Sequence, residues 1–296
     1  MFLVKTWRSI SFGLYGYKNF TKSGFMEHSK NFNPEDMQMQ IEGKNCVVTG
    51  ANSGIGYSTA EGLASRGATV YMVCRNKERG EAALSEIQSA TGNKNVYLEV
   101  CDISSISDVK SFVSRFSSRD VPIHVLVNNA GLLENKRLIT SEGFEMNFAV
   151  NVLGTYTLTE LMLPLLEKAV PDARVITVSS GGMYTSPLME DLQFNGNKFD
   201  GVEQYARNKR VQFVNAPIDF TSAIQFRVRL SGKLRSSKEG ADTVIWLALQ
   251  PKEKLVSGSF YFDRAEVPKH LPVAVTNGSH SVIDRICGNL RALSRL

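Results

Sequence analysis

The chain has 296 residues, 43% hydrophobic and 21% charged, which suits one large domain with an ordinary core. Its net charge of +5 lies almost wholly in residues 1–30, where Lys5, Arg8, Lys18, Lys22 and Lys30 face only Glu27. The near-neutral remainder argues against a nucleic-acid-binding surface.

Residues 1–40 read as a basic N-terminal arm. Phe2, Trp7, Phe12 and Phe20 stand among its bases, and no acid precedes Glu27. A solvated or domain-covering arm is the preferred reading, with a mitochondrial presequence or a membrane-surface helix as alternatives. The expected location is intracellular, in the cytoplasm, with the mitochondrion or a membrane surface left open by the arm. No uninterrupted apolar run reaches spanning length, since the stretch around 158–166 is broken by Thr159, Glu160 and Pro164. Cys46, Cys74, Cys101 and Cys287 form no C-x-x-C pair and read as reduced thiols, and no metal site is expected.

From residue 41 strand and helix signals alternate. A short apolar strand at 46–49 runs into the glycines of 50–56, and a helix follows at 57–65, with Ala60, Leu63 and Ala64 on one face and Gly67 as its stop. A strand at 70–73 precedes a helix at 78–89 with Ala82, Ala83 and Ile87 in register. After a third strand at 96–100, Ser105 and Asp108 suggest a capping box, and Val109, Phe112, Val113 and Phe116 give the next helix an apolar stripe. Strands at 123–127 and 174–178 flank a long helix at 144–168. Val- and Ile-rich strands with little polar alternation imply burial on both faces. The expected fold is α/β, a doubly wound, mostly parallel, Rossmann-like sheet in three layers. It should span 41–275, with 276–296 a tail or helix.

The first strand leads into Thr49-Gly50-Ala51-Asn52-Ser53-Gly54-Ile55-Gly56. Gly50 permits a tight turn, Gly54 lets backbone approach a pyrophosphate, and Gly56 allows close helix–strand packing. The following helix aims its free N–H groups at the phosphates. The spacing resembles the T-G-x-x-x-G-x-G turn of the short-chain dehydrogenase/reductase superfamily. At the end of the second strand, Val73-Cys74-Arg75-Asn76 offers no acid for a ribose 2′-hydroxyl, whereas Arg75 suits a 2′-phosphate, favouring NADP(H) over NAD(H). The resemblance further implies an adenine contact at Asp102 and a cofactor-bordering turn at Asn128-Asn129-Ala130-Gly131, which matches the family's N-N-A-G.

Tyr205-Ala206-Arg207-Asn208-Lys209 is a Y-x-x-x-K pair on one helix face. A nearby ammonium would lower the phenol's pKa, so that Tyr205 could exchange a proton while the nicotinamide exchanges hydride. Lys209 could also bond the nicotinamide ribose. Ser180, after the fifth strand, is expected to hold the substrate oxygen; Ser179 is the alternative, and the family pattern favours Ser180. Asn151 matches the helix Asn that links the Lys to water in the family. The resemblance thus implies an oxidoreductase acting on a small carbonyl or secondary alcohol, of lipophilic character, and a homodimer built on the helices after the fourth and fifth strands. The long segment from Ser180 to Tyr205 resembles retinol-dehydrogenase-like members, as do Gly240-Ala-Asp-Thr243 and Trp246-Leu-Ala-Leu249.

The pattern breaks after Lys209. Pro217 should stop the helix, no Pro-Gly pair occurs in 210–240, and a helix, a sixth strand and a substrate loop fit poorly before Gly240. Ile224, Phe226, Val228 and Leu230 alternate with Gln225, Arg227 and Arg229, a half-exposed strand pattern. Residues 210–239 therefore read as an altered or internally deleted form of the family's chain. Two outcomes follow: an active enzyme, or a cofactor-binding form without turnover.

Overall fold

Strands β1 (Asn45–Thr49), β2 (Thr69–Cys74), β3 (Val96–Val100), β4 (Val125–Asn128), β5 (Arg174–Ser179), β6 (Asp219–Ala223), β7 (Phe260–Phe262) and β8 (Ala265–Glu266) form one sheet. Their order is β3-β2-β1-β4-β5-β6-β7-β8. All neighbours pair in parallel except β7 and β8. This computed structural model describes residues 2–196, 198–214, 219–223, 234–272 and 274–296. The order reverses between β1 and β4, and at such a switch point an open α/β sheet leaves a crevice at the carboxyl ends of its strands.

Helices cover both faces. α3 (Gly54–Ala64), α4 (Lys77–Thr91) and α9 (Ser237–Leu249) pack on one; α5 (Ile106–Ser117) and α7 (Thr155–Glu167) pack on the other. The two-residue period of the strands sorts the core. Val48, Val70, Met72 and Ile176 meet Leu63, Ile87 and Trp246. Val47, Val73, Leu126 and Val175 point the other way, toward Phe112, Phe116 and Leu158. Asn76 caps α4 and Ser105 caps α5, each accepting the N–H three residues on. The box expected at Ser105 is not reciprocal, because the Asp108 carboxylate accepts from the Asp102 N–H instead.

The single helix expected at 144–168 is a composite: α6 (Met146–Phe148), a π-helical segment (Ala149–Gly154) and α7. Gly154 is required there, since a Cβ would lie 1.9 Å from the Ile103 carbonyl oxygen. The run Met146–Glu167, with mean hydropathy 1.2, is long and apolar enough to cross a membrane, although the sequence shows breaks at Thr159, Glu160 and Pro164. Of that window 78% is buried within the fold, the position of a core helix. α10 (His280–Ser294) buries Ile286 and Leu290 against Phe148, Val152, Leu153 and Tyr156. The chain's own C-terminal helix thus covers part of the helix on which a dimer was expected.

The N-terminal residues form α1 (Phe2–Asn19) and α2 (Lys22–Ser29). Phe12 and Phe20 join Met183, Tyr184, Phe260 and Phe262 in one buried cluster. Arg8 donates to the carbonyls of Ala274 (2.7 Å) and Val275 (3.0 Å). Arg235, ion-paired with Asp263, donates to the Asn19 carbonyl at 2.5 Å.

The difficulty expected after Lys209 resolves differently. α8 (Gly201–Val214) ends before Pro217, and β6 then pairs with β5 over Val175–Asp219 through Ser179–Ala223. A sixth strand therefore does fit, because it begins earlier than the alternating run that suggested one. That run, 224–230, lies outside the described residues.

Candidate active site

β1 delivers the chain into the glycine turn at the switch point. Gly50 has φ +65°, and a Cβ there would lie 3.1 Å from the Ala130 Cα. A Cβ on Gly56 would lie 2.3 Å from the Gly50 carbonyl oxygen, so Gly56 sets the approach of α3 to the turn. Gly54 has φ +59° and nothing within 4 Å of where its Cβ would stand, so it faces open space. Ser53 precedes α3 without a side-chain cap bond. The first N–H groups of the helix therefore keep their free donors and positive end toward the crevice.

The turn is locked to the loop after β4. Thr49 Oγ1 accepts the N–H groups of Asn129 (3.0 Å) and Ala130 (2.9 Å). In return, Asn129 Nδ2 donates to the Thr49 carbonyl at 2.8 Å. Asn128 faces inward instead, donating to Thr159 Oγ1 at 2.8 Å.

A cleft of about 1710 Å³ runs from this turn to the end of β5. Of the residues expected at a cofactor site, Gly50, Asn52, Ser53, Gly54, Ile55, Arg75, Asp102, Ala130 and Gly131 line it, as do Ser180, Tyr205 and Lys209. Gly56, Asn128 and Asn151 stand behind its wall. Asp102 Oδ1 accepts from the Ser104 N–H (2.9 Å) and hydroxyl (2.8 Å), which orients the carboxylate. Arg79, one turn into α4, lines the cleft beside Arg75. The sequence reading missed it, although its position just past the second strand was the available signal. Cys101 also lines the cleft, but burial pushes its thiol up to about 12, so it is no nucleophile near neutrality.

Ser180, Tyr205 and Lys209 meet where β5 and α8 face each other. Ser179 and Ser180 are separated by their partners. The Ser179 hydroxyl donates to the Lys209 carbonyl at 3.0 Å, whereas the Ser180 hydroxyl bonds the Tyr205 phenol and accepts the Gly182 N–H at 3.1 Å. The electrostatics differ from the expectation. Burial raises the Tyr205 pKa above its ordinary value, opposed only by the Ser180 hydrogen bond. Burial also pushes Lys209 down to about 7. Lys209 Nζ donates to the Val178 carbonyl at 2.8 Å and sits 5.5 Å from the centroid of the Tyr205 ring, over its face, so the amine expected to lower the phenol's pKa is directed to the ring and the β5 backbone.

Asn151 lies in the π-helical segment, a distortion that often accompanies functional positions. Its Oδ1 accepts the Leu132 N–H and its Nδ2 donates to the Leu132 carbonyl, both at 2.9 Å. Asn147, one turn earlier, does the same with Glu134, at 2.7 and 3.1 Å. The two amides mimic strand pairing and hold the loop that borders the cleft. Glu145 supports them: its buried carboxylate accepts the N–H groups of Asn147 and Phe148 and the Gln204 amide. The sequence reading gave neither Asn147 nor Glu145 a role.

Residues 44–190 match the short chain dehydrogenase family. The chain is similar to bovine (Bos taurus) dehydrogenase/reductase SDR family member 12, with 41% identity and 98% of each chain covered. It is also similar to mouse (Mus musculus) retinol dehydrogenase 11, with 33% identity over 76% of this chain and 79% of that one. A solved metagenomic short-chain oxidoreductase in complex with NADP superposes with a TM-score of 0.56 at 25% identity, covering 73% of this chain and 96% of that one. With the parallel sheet, the glycine turn and the Ser-Tyr-Lys cluster in place, this chain belongs to the short-chain dehydrogenase/reductase family of oxidoreductases.

Proposed function

We propose that the protein is an NADP(H)-dependent oxidoreductase that interconverts a carbonyl and a secondary alcohol on a lipophilic small molecule. The observation that carries this reading is the convergence of Ser180, Tyr205 and Lys209 at one end of a cleft whose other end is the glycine turn. The residues present fit a dinucleotide. The open space at Gly54 and the uncapped start of α3 suit a pyrophosphate. Asp102, oriented by Ser104 and lining the cleft, suits an adenine contact. Arg75 and Arg79, with no acid at the end of β2, suit a 2′-phosphate and favour NADP(H) over NAD(H). The similar metagenomic enzyme was crystallised with NADP. Leu132, Leu133, Pro187, Met189 and Val202 give the substrate end an apolar lining.

When bound, the nicotinamide supplies or accepts the hydride. Tyr205 handles the proton. Its raised pKa keeps the phenol protonated near neutrality, the state needed to protonate a carbonyl oxygen as an alcohol forms. The Ser180 hydroxyl orients that oxygen beside the phenol. Lys209 lines the cleft beside Tyr205, with its amine over the ring, and suits a bond to the nicotinamide ribose. Asn151 acts as a positioning residue through the Leu132 backbone. NADPH titration by fluorescence, followed by a panel of lipophilic ketones, tests the reading. NADPH consumption that Tyr205→Phe abolishes is expected; failure to bind NADPH would overturn it.

A further inference from the structure

Most of the molecule's polar clusters have structural duties. The buried Arg235–Asp263 pair ties the α1–α2 junction to the sheet edge, and Arg210 holds the carbonyls of Lys269 and Thr276. α1 is different, because it is apolar on two faces. Phe12, buried on the inner side, packs on the body of the protein. On the outer side Trp7, Ile10, Leu14 and Tyr17 are 58, 47, 71 and 65% exposed. Their spacing of three, four and three residues places them within one narrow arc of the helix, a stripe ~15 Å long at 1.5 Å per residue. A surface helix with one face already packed has no folding reason to carry large side chains, Trp among them, along the other.

We propose that this outer stripe of α1 docks onto an anionic lipid bilayer, with the helix lying in the interface, so that the substrate cleft lies one helix away from the membrane surface. Three observations fix the occupant. Residues 1–26 contain Lys5, Lys18 and Lys22 beside the inward-facing Arg8, and no Asp or Glu, which complements an anionic headgroup layer. Trp7 and Tyr17, at the two ends of the stripe, are the residue types that settle at the level of lipid headgroups. The same helix lines the cleft through Val4, Arg8, Ser9 and Phe12. Arg8, bonded to Ala274 and Val275, fixes α1 to the body, so docking fixes the cleft relative to the bilayer. A lipophilic carbonyl compound leaving the bilayer beside α1 then has a short path to Tyr205. That last step rests on the function proposed above; the docking itself does not.

The test uses the full chain and vesicles of phosphatidylcholine, with and without phosphatidylserine. The protein has two tryptophans, and Trp246 is buried against Asp36, so a change in emission reports Trp7. Cosedimentation with the phosphatidylserine vesicles, a blue shift in emission, and weakening by salt are expected. Trp7→Ser with Leu14→Ser should reduce binding on the order of tenfold or more, with an unchanged melt, because both side chains are exposed. Turnover of a water-soluble carbonyl should be unchanged in the double variant, while turnover of a vesicle-dissolved one falls. Equal vesicle binding by the double variant, or no binding by the natural chain, overturns the proposal. So does a dimer of the natural chain that the double variant abolishes, since that would make the stripe a contact between copies. Absence of any turnover alongside intact vesicle binding would overturn the catalytic reading and leave the docking standing.

Discussion

Lys209→Met should make the protein more stable while removing its activity. The Lys209 side chain is buried, and its pKa falls from the ordinary 10.5 to about 7 through burial alone. At about 1.4 kcal/mol per pH unit, that fall corresponds to roughly 5 kcal/mol of preference for the unfolded chain when the group is charged. A lysine whose folded pKa lies below its unfolded one weakens the fold fully at pH below about 7. The penalty shrinks as pH rises from about 7 to 10.5 and vanishes above that. Methionine keeps much of the apolar stem and removes the ammonium. It also strips the Val178 carbonyl of its donor at 2.8 Å, which costs about 1–2 kcal/mol. The net gain at neutral pH is therefore about 2–4 kcal/mol, or several degrees in melting temperature. Urea melts of both proteins, without cofactor, at neutral pH and again near pH 9.5 would measure it, with the gap narrowing at the higher pH. The argument would be falsified if the variant melted at or below the natural chain at neutral pH, or if the gap ignored pH.

Other expectations concern single positions. Tyr205→Phe should lower turnover by about 10²–10⁴-fold and leave NADPH affinity nearly unchanged, because the phenol moves the proton while the far end of the cleft holds the dinucleotide; a retained rate in an active enzyme would remove Tyr205 from the mechanism. Arg75→Asp should shift the preference from NADPH toward NADH by exchanging a cationic partner for a hydroxyl acceptor, and matched titrations of both cofactors that move in neither direction would make Arg75 a plain surface residue. Asn151→Ala strands the Leu132 N–H and carbonyl, so a loss of about 2 kcal/mol is expected on unfolding, with a larger effect on rate than on NADPH affinity; an unchanged melt would show the loop to be held elsewhere. Replacing residues 211–232 with a longer family-like segment ending in a Pro-Gly loop should raise turnover and tighten NADPH, and parity in both would show that the short segment suffices.

The glycine turn was legible because its requirements are backbone requirements. Gly50 and Gly54 both adopt positive φ, and Gly56 sits where a Cβ would collide, so the chemistry is written in the one residue type that permits it. The strands were legible from their apolar runs, and β1 through β5 fall within a few residues of expectation. β6 was not, because Asp219-Phe-Thr-Ser-Ala223 lacks the branched apolar residues that mark the other central strands. Its place is set by pairing with β5 and β7, which is tertiary information. The π-helical segment was invisible for a related reason: it ends where Gly154 packs closely on Ile103, a tertiary contact that no local periodicity records. The state of Tyr205 was misread because i and i+4 spacing fixes a shared face, not the direction of the lysine's amine.

α8, the helix of Tyr205 and Lys209, is marked in the sequence by its Y-x-x-x-K motif and not by its periodicity. Gln204, Asn208, Lys209, Arg210 and Gln212 are all buried, so the helix has no apolar stripe to read. A polar helix survives burial only if its groups find partners, and here Gln204, Lys209 and Arg210 each reach a different neighbour, whereas the Gln212 amide and Asn208 Nδ2 have none among the described residues. Gln204 donates to Glu145 and to the Leu192 carbonyl, and Lys209 donates to β5 at Val178. Arg210 holds the carbonyls of Lys269 and Thr276, in the segment whose Ala274 and Val275 carbonyls bind Arg8 of α1. The helix that carries Tyr205 is thus a hub joining the sheet, the loop-bearing α6 and the cleft wall. The burial that strains Lys209 also fixes where Tyr205 and the α1 wall stand. Relieving that strain should therefore stabilise the fold while disabling the site.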